Sequence, residues 1–296
     1  MNDERPRDLD SSDAGKADER MRRLHDGIAD YLAARGRIRT GLDGQELIEA
    51  RKARIIAMLG ADEAQWGDYR WQLDNRFSTA GSLRDYLQLD AAAVERIAQV
   101  ACRYRFAISP YYLSLLDPDN PDCPIRRQAV PDLLELDTRG SLDPMDEAGS
   151  TPVPGVARRY PDRLIIKVSN QCGMYCRFCQ RRRLIGEQDH HTSPEILSMA
   201  VDYVRANPEI RDVLLTGGDA LMLSDSALEH LLADLRAISH VEIIRLGTRT
   251  PVTLPQRITP QLVDMLKKYH PLYVNTHFNS PAEITADSLR ACSLLA

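Results

Sequence analysis

The stretch Arg163-Leu164-Ile165-Ile166-Lys167-Val168-Ser169-Asn170 runs directly into Gln171-Cys172-Gly173-Met174-Tyr175-Cys176-Arg177-Phe178-Cys179-Gln180. Its first eight residues are short, mostly apolar and rich in β-branched side chains, the pattern of a buried strand. EILSMAVDYVRAN (195–207) follows with helical spacing. The pair then recurs as DVLLTGGD (212–219) with SALEHLLADLRAI (226–238), and as VEIIRLGTRT (241–250) with PQLVDMLKKYH (260–270). LYVNTHF (272–278) with AEITADSLRACSLLA (282–296) makes the fourth pair. Such alternation implies parallel strands joined by right-handed crossovers, hence an α/β barrel or an open sheet. It also collects the polar residues at one end. Cys172–Cys179, Gly217-Gly218-Asp219, Thr248-Arg249-Thr250, and His277 with Asn279 each follow a strand. The carboxyl ends of strands are where these folds build sites.

Moving toward the N-terminus, residues 161–296 give way to a proline-rich stretch, 108–160, with eight prolines from Pro110 to Pro154. It reads as an irregular connecting arm. Residues 21–107 have helical spacing, with Ser82 and Asp90 as expected N-caps. Residues 1–20 carry almost no apolar side chains and are expected to be a disordered lead. Across all 296 residues, 38 Lys+Arg stand against 43 Asp+Glu, and 43% are hydrophobic. That balance excludes a basic nucleic-acid binder and a globally disordered chain. No apolar run reaches membrane length and no signal peptide is visible, so a cytoplasmic protein is expected, with neither nucleic acid nor membrane as partner.

Three of the six cysteines fall within eight residues, spaced C-x3-C-x2-C. In a reducing compartment such a cluster reads as metal-binding. Three thiolates from one loop can each hold one iron of a four-iron cluster, leaving the fourth iron open to a ligand. Phe178 would shield it. The alternative is a structural zinc with His190 or His191 as fourth ligand, although zinc knuckles seldom sit at the catalytic end of a barrel strand.

With these residues in view, the chain resembles the radical S-adenosylmethionine enzymes, and more narrowly their lysine 2,3-aminomutase branch. The resemblance is carried by the three cysteines, Tyr160-Pro161-Asp162-Arg163, Arg181-Arg182-Arg183, RDVLLTGGDALMLSD and RLGTRTPVTLPQRITPQLVDMLKKYHPLYVNTHFNSPAEIT. It extends upstream to Asp68-Tyr69-Arg70-Trp71-Gln72-Leu73 and Pro124-Ile125-Arg126-Arg127-Gln128. Gln180 and Gly173-Met174 depart from the family's threonine and Ser-Met.

The resemblance implies a partial TIM-type (βα)6 barrel, with about four of its units present, after a helical N-terminal region. It implies a [4Fe–4S] cluster on Cys172, Cys176 and Cys179. S-adenosylmethionine would lie against Gly217, Gly218, Asp219, His277 and Asn279. Arg159, Tyr160 and Arg163 match residues that contact pyridoxal 5′-phosphate, the arginines holding its phosphate. Arg181 matches the arginine that pairs with the substrate carboxylate, while Arg182 and Arg183, as an ordinary arginine run, are expected in salt bridges or over the barrel rim. The implied reaction is an isomerisation that moves an α-amino group to the β-carbon. Lysine is the default substrate, with arginine and glutamate as competitors. An external electron donor such as flavodoxin or ferredoxin and a homo-oligomer are implied as well.

The lysine that binds pyridoxal phosphate in the family, the acids that recognise a substrate ammonium and the zinc cysteines have no counterpart in residues 1–296. Lys267 and Lys268 read as surface residues. The expectation is therefore a chain truncated at its C-terminus. The alternatives are a radical enzyme without pyridoxal phosphate and a catalytically incomplete, cluster-binding remnant.

Overall fold

The computed structural model describes residues 11–296, with side chains from residue 15 onward. The chain divides into Met1–Arg39 and Thr40–Ala296. In the first unit, helices span Ser11–Asp26 and Ala29–Arg35. The expected disordered lead is thus helical from Ser11, and residues 1–10 lie outside the described residues. Low apolar content does not prevent a helix where Ala, Lys, Glu, Arg, Met and Leu together make up most of the residues. Arg23 and His25 in the last turn also face the negative end of the helix dipole.

In the second unit, the helices Gln45–Leu59, Ala80–Leu87 and Ala91–Ala101 lead into the arm. Asp90 caps the last of these through a bond from the Ala93 amide at 2.6 Å. Ser82 takes a different place from the one expected. The N-cap is Thr79, and Ser82 is the third helical residue of a capping box that returns a bond to it. The proline-rich arm forms the short helices Pro110–Ser114 and Pro124–Ala129 and a 3₁₀ turn, Leu133–Leu136. Tyr111, Tyr112, Leu116 and Ile125 of the arm share one core with Ile55, Trp66, Leu83 and Tyr86 of the upstream helices. That core crosses the expected 107/108 boundary, because each short arm helix buries its apolar side on the longer ones.

The sheet has five strands in the order β1 (Val156–Ala157), β2 (Arg163–Ser169), β3 (Asp212–Gly217), β4 (Ile243–Gly247) and β5 (Leu272–Asn275). The short β1 was not expected and runs antiparallel to β2; all other pairs are parallel. Strand order follows chain order without reversal, as in a (βα) barrel and unlike a doubly wound sheet.

Period two sorts each strand's side chains to opposite faces. Leu164, Ile166, Val168, Val213, Leu215, Ile244 and Leu246 pack on the crossover helices Pro194–Ala206, Asp225–Arg236 and Pro260–Leu266. Each such fully buried side chain contributes about 1.5–3 kcal/mol. The other set, including Ile165, Lys167, Leu214, Thr216 and Gly247, faces the opposite side. Among the described residues no helix is long and apolar enough to cross a membrane.

Candidate active site

The cysteine loop leaves β2 and is held by the upstream helices. Arg76 donates to the Cys172 carbonyl at 2.8 Å, the Tyr175 amide to Ala107 at 3.0 Å, and the Arg177 amide to Gln128 at 2.8 Å. Arg177 is itself buried and paired with Glu135 at 2.7 Å. Below the loop, Asp189 gathers Arg76, Arg105, the Tyr175 hydroxyl and Gln171. Burial alone would push the Asp189 carboxyl up, but the Tyr175 hydroxyl and the Arg76 guanidinium outweigh it and hold the carboxyl below its ordinary value.

Cys172, Cys176 and Cys179 line one cavity of about 850 Å³ together with Gly217, Gly218, Asp219, Thr248, Arg249 and His277. Burial pushes all three thiols up, Cys172 most clearly, with Asp219 and the neighbouring cysteines adding to it. A cation bound by the three sulfurs would reverse that balance, because metal ligation requires thiolates. Three sulfur donors on one cavity wall, with space beyond them, fit an iron–sulfur cluster that keeps an open iron.

The histidines of the zinc alternative line the same cavity, each with its Nδ1 beside a neighbouring side chain. His190 Nδ1 lies 2.9 Å from the Asn170 side-chain amide and His191 Nδ1 lies 3.1 Å from Ser169 Oγ. Among the described residues no group of three His, Cys, Asp or Glu side chains converges on a single ion.

Gly217 and Gly218 are required by close approach. Gly217 has φ +126°, and a Cβ on Gly218 would stand 2.5 Å from the Gln171 carbonyl oxygen. The end of β3 therefore nests directly against the start of the cysteine loop, which no larger residue permits. Asp219 is buried, which raises its carboxyl; it accepts from Thr248 Oγ1 at 2.6 Å and from the Arg249 amide at 2.7 Å. It ties the end of β3 to the end of β4 while still contributing to the cavity wall. His277 meets Phe178 edge-on, 6.4 Å between ring centroids. Asn279 is not brought to the cavity. Its side chain donates to Gln128 at 3.0 Å and its amide to Glu283 at 2.7 Å.

Arg181 lines the cavity and is paired with the buried Glu147 at 2.7 Å. Arg182 pairs with Glu135 at 3.2 Å and Arg183 with Asp143 at 2.6 Å, so each of the three arginines finds a carboxylate on the arm. Arg159, Tyr160 and Arg163 lie at the opposite end of β2, exposed and outside the cavity wall. Arg163 stacks on Tyr160 at 4.8 Å and pairs with Asp162 at 3.3 Å. The seven residues of β2, rising about 3.3 Å each, separate it from the cysteines. Lys267 and Lys268 are exposed and pair with Asp264 and Glu229.

Sequence reading placed Arg249 at the right end of its strand but missed its partners. Arg249 is buried and donates to Cys176 Sγ at 2.9 Å, Gln128 Oε1 at 2.6 Å and Glu283 Oε1 at 2.6 Å. Burial would depress its basicity, but Cys176, Tyr112 and Glu283 more than compensate. Its Nε is buried without a partner, leaving one donor beside the cavity.

Comparison with known proteins agrees with this geometry. The Radical SAM superfamily pattern matches residues 166–294. Glutamate 2,3-aminomutase of Clostridioides difficile is 51% identical over 279 residues, covering 94% of this chain and 66% of that protein. L-lysine 2,3-aminomutase of Clostridium subterminale is 52% identical over 236 residues, covering 79% of this chain and 57% of that protein. L-lysine 2,3-aminomutase of Bacillus subtilis is 46% identical over 235 residues, covering 79% and 50%. The chain thus spans about half to two thirds of the length of these relatives. With the cysteine spacing, its place after β2 and this identity together, the chain belongs to the radical S-adenosylmethionine superfamily, in its lysine 2,3-aminomutase family.

Proposed function

We propose that the chain carries the cluster and S-adenosylmethionine site of an amino-acid 2,3-aminomutase, an isomerase that moves an α-amino group to the β-carbon. The observation that carries this reading is the common cavity: three cysteines, the glycine turn of β3 and His277 form its wall. When bound, the cluster and S-adenosylmethionine supply a carbon radical that can abstract a hydrogen atom. The chain's own residues bind and orient. Cys172, Cys176 and Cys179 hold the irons. Gly217, Gly218, Asp219 and His277 form the wall against S-adenosylmethionine, with Phe178 edge-on to His277. Arg181 takes the substrate α-carboxylate in place of Glu147, exchanging one carboxylate for another at the same guanidinium.

Glutamate and lysine are the substrates to test first, as the relatives' names suggest, with arginine third. Pyridoxal phosphate enters the proposal as the family's second cofactor, with no step derived through it. Arg159, Tyr160 and Arg163 stand outside the cavity of this chain. That separation favours, as a second reading, a radical reaction independent of pyridoxal phosphate. A cytoplasmic location, a flavodoxin- or ferredoxin-type electron donor and a homo-oligomer belong to the proposal on family resemblance.

Anaerobic reconstitution tests it, with iron, sulfide and pyridoxal phosphate measured, followed by an amino-acid panel assayed for 5′-deoxyadenosine and β-amino products. About four irons per chain are expected, together with a β-amino product from at least one amino acid. Iron well below four, unchanged by Cys176→Ala, would sink the reading. A pyridoxal phosphate content near zero with 5′-deoxyadenosine still formed would select the second reading.

A further inference from the structure

One cation of the cavity has no role in the reaction proposed above. Lys167 is the single charged residue inside the apolar run of β2, and strand phase sets it with Ile165 on the face away from the helices. It is half-buried and lines the same cavity as the three cysteines, Thr216, Asn275 and Arg181. Its charged neighbours are Glu147, Arg183, Arg181 and Asp143. Both acids are already taken, Glu147 by Arg181 at 2.7 Å and Asp143 by Arg183 at 2.6 Å. Three cations therefore face two carboxylates. Lys167 has neither a hydrogen bond nor an ion pair within this group among the described residues.

A half-buried ammonium beside two guanidinium groups is held in its charged form at a cost, and the lysine is accordingly shifted below its ordinary value, by burial first. An entering anion would remove that cost and would gain a charge-assisted hydrogen bond.

We propose that Lys167 is a second anion anchor of this cavity, for an oxyanion borne by the bound molecule at a distance from the carboxylate that Arg181 takes. The proposal rests on the 2,3-aminomutase reading for Arg181 and deepens it by naming the ligand class. Two sources share the chemistry: the side-chain carboxylate of an acidic amino acid, or the phosphate of a phosphorylated cofactor.

Calorimetric titration of the reconstituted protein with L-glutamate, L-glutamine and pyridoxal phosphate separates them, in wild type and in Lys167→Met. Met keeps the length and removes the charge. If the anchor reads the substrate, Lys167→Met weakens L-glutamate about tenfold or more and leaves L-glutamine and pyridoxal phosphate unchanged. If it reads a phosphate, pyridoxal phosphate is the ligand that weakens, and Lys167→Arg restores part of its affinity. Equal affinities in wild type and Lys167→Met for all three ligands overturn the proposal, as does wild type binding neither anion. Iron content and thermal midpoint, expected to match wild type, show that the variant is folded. Because binding is read by heat, failure of the aminomutase reading is recognised separately, by absence of any β-amino product.

Discussion

The two ends of the sheet use the same chemistry, arginine against carboxylate, to opposite effect. At the amino end, Arg163 and Arg211 pair with Asp162 at 3.3 Å each, both arginine side chains about half exposed. At the carboxyl end, Arg249 pairs with Glu283 at 2.6 Å, and Glu283 is fully buried. Exposed pairs are worth about 0–1 kcal/mol. A buried pair need not stabilise the fold over an apolar one, but breaking it by removing one partner costs about 3–5 kcal/mol. The difference is one of burial: Glu283 wires Arg249 into the end that holds the cysteines, whereas Arg163 and Arg211 share a solvated carboxylate. The amino end also keeps the more buried Arg245–Asp212 pair at 2.8 Å.

The largest effect expected at the wired end is chemical. Cys176→Ala removes one of three sulfur donors, so iron after reconstitution should fall from about four per chain to below about one. Iron and sulfide analysis with cluster absorbance checks it. Retention of the full cluster would mean that the carboxyl end is not the metal end, and the comparison would fail at its root.

Glu283→Gln comes next. Glu283 accepts from Arg249, from Tyr112 at 2.7 Å and from the Asn279 amide at 2.7 Å, so neutralising it strands a buried guanidinium. A loss of about 3–5 kcal/mol in urea unfolding is expected. A loss under about 1 kcal/mol, the range of exposed pairs, would erase the distinction between the two ends.

Asp189→Asn should cost less, about 1.5–3 kcal/mol, the range for hydrogen bonds to a charged group. It also carries a pH signature. The carboxyl is held below its unfolded value, so its stabilisation is complete above about pH 4, the ordinary aspartate range. It is lost as pH falls through the lower native value. In Asp189→Asn that part of the acid-induced loss should vanish, as read by urea midpoints across pH 2–6. An unchanged acid profile would show that the Arg76–Asp189–Tyr175 group carries no differential protonation.

Much of this architecture was legible in residues alone. Leu164, Ile166 and Val168 alternate with Ile165 and Lys167, and the later strands repeat the pattern, so the parallel repeat and its active end follow from periodicity. The cysteine spacing is local and could be read directly. What escaped reading is long-range pairing. Arg249 meets Glu283, Gln128 and Tyr112 from three different segments, and Arg181 meets Glu147 of the arm, 34 residues earlier, across β2 and the cysteine loop. Ion pairs of this kind leave no periodic trace. The lead from Ser11 escaped reading for the converse reason: Lys, Glu and Arg supply helix propensity there, while a low apolar content with many charges is also the composition of disorder. Lys167 was visible as a charge in an apolar strand, and strand phase alone could have pointed it at the cavity.

The smallest expected effect tests the solvated end most sharply. Arg163 is about half exposed, with Asp162 and the ring of Tyr160 as its neighbours. Within this chain Arg163→Ala should change stability by no more than about 0.5 kcal/mol, the usual range for surface substitutions. Iron content and S-adenosylmethionine binding should not move, because no residue between Arg159 and Arg163 lines the cavity. Pyridoxal phosphate retention is the discriminating readout, since family resemblance assigns its phosphate to these arginines and the geometry of the single chain does not bring them to the cavity. We expect retention by Arg163→Ala to equal wild type. A clear loss of pyridoxal phosphate at unchanged iron and unchanged stability would reverse the comparison. The amino end would then be a second functional surface, one that meets its ligand away from the cavity of its own cysteines.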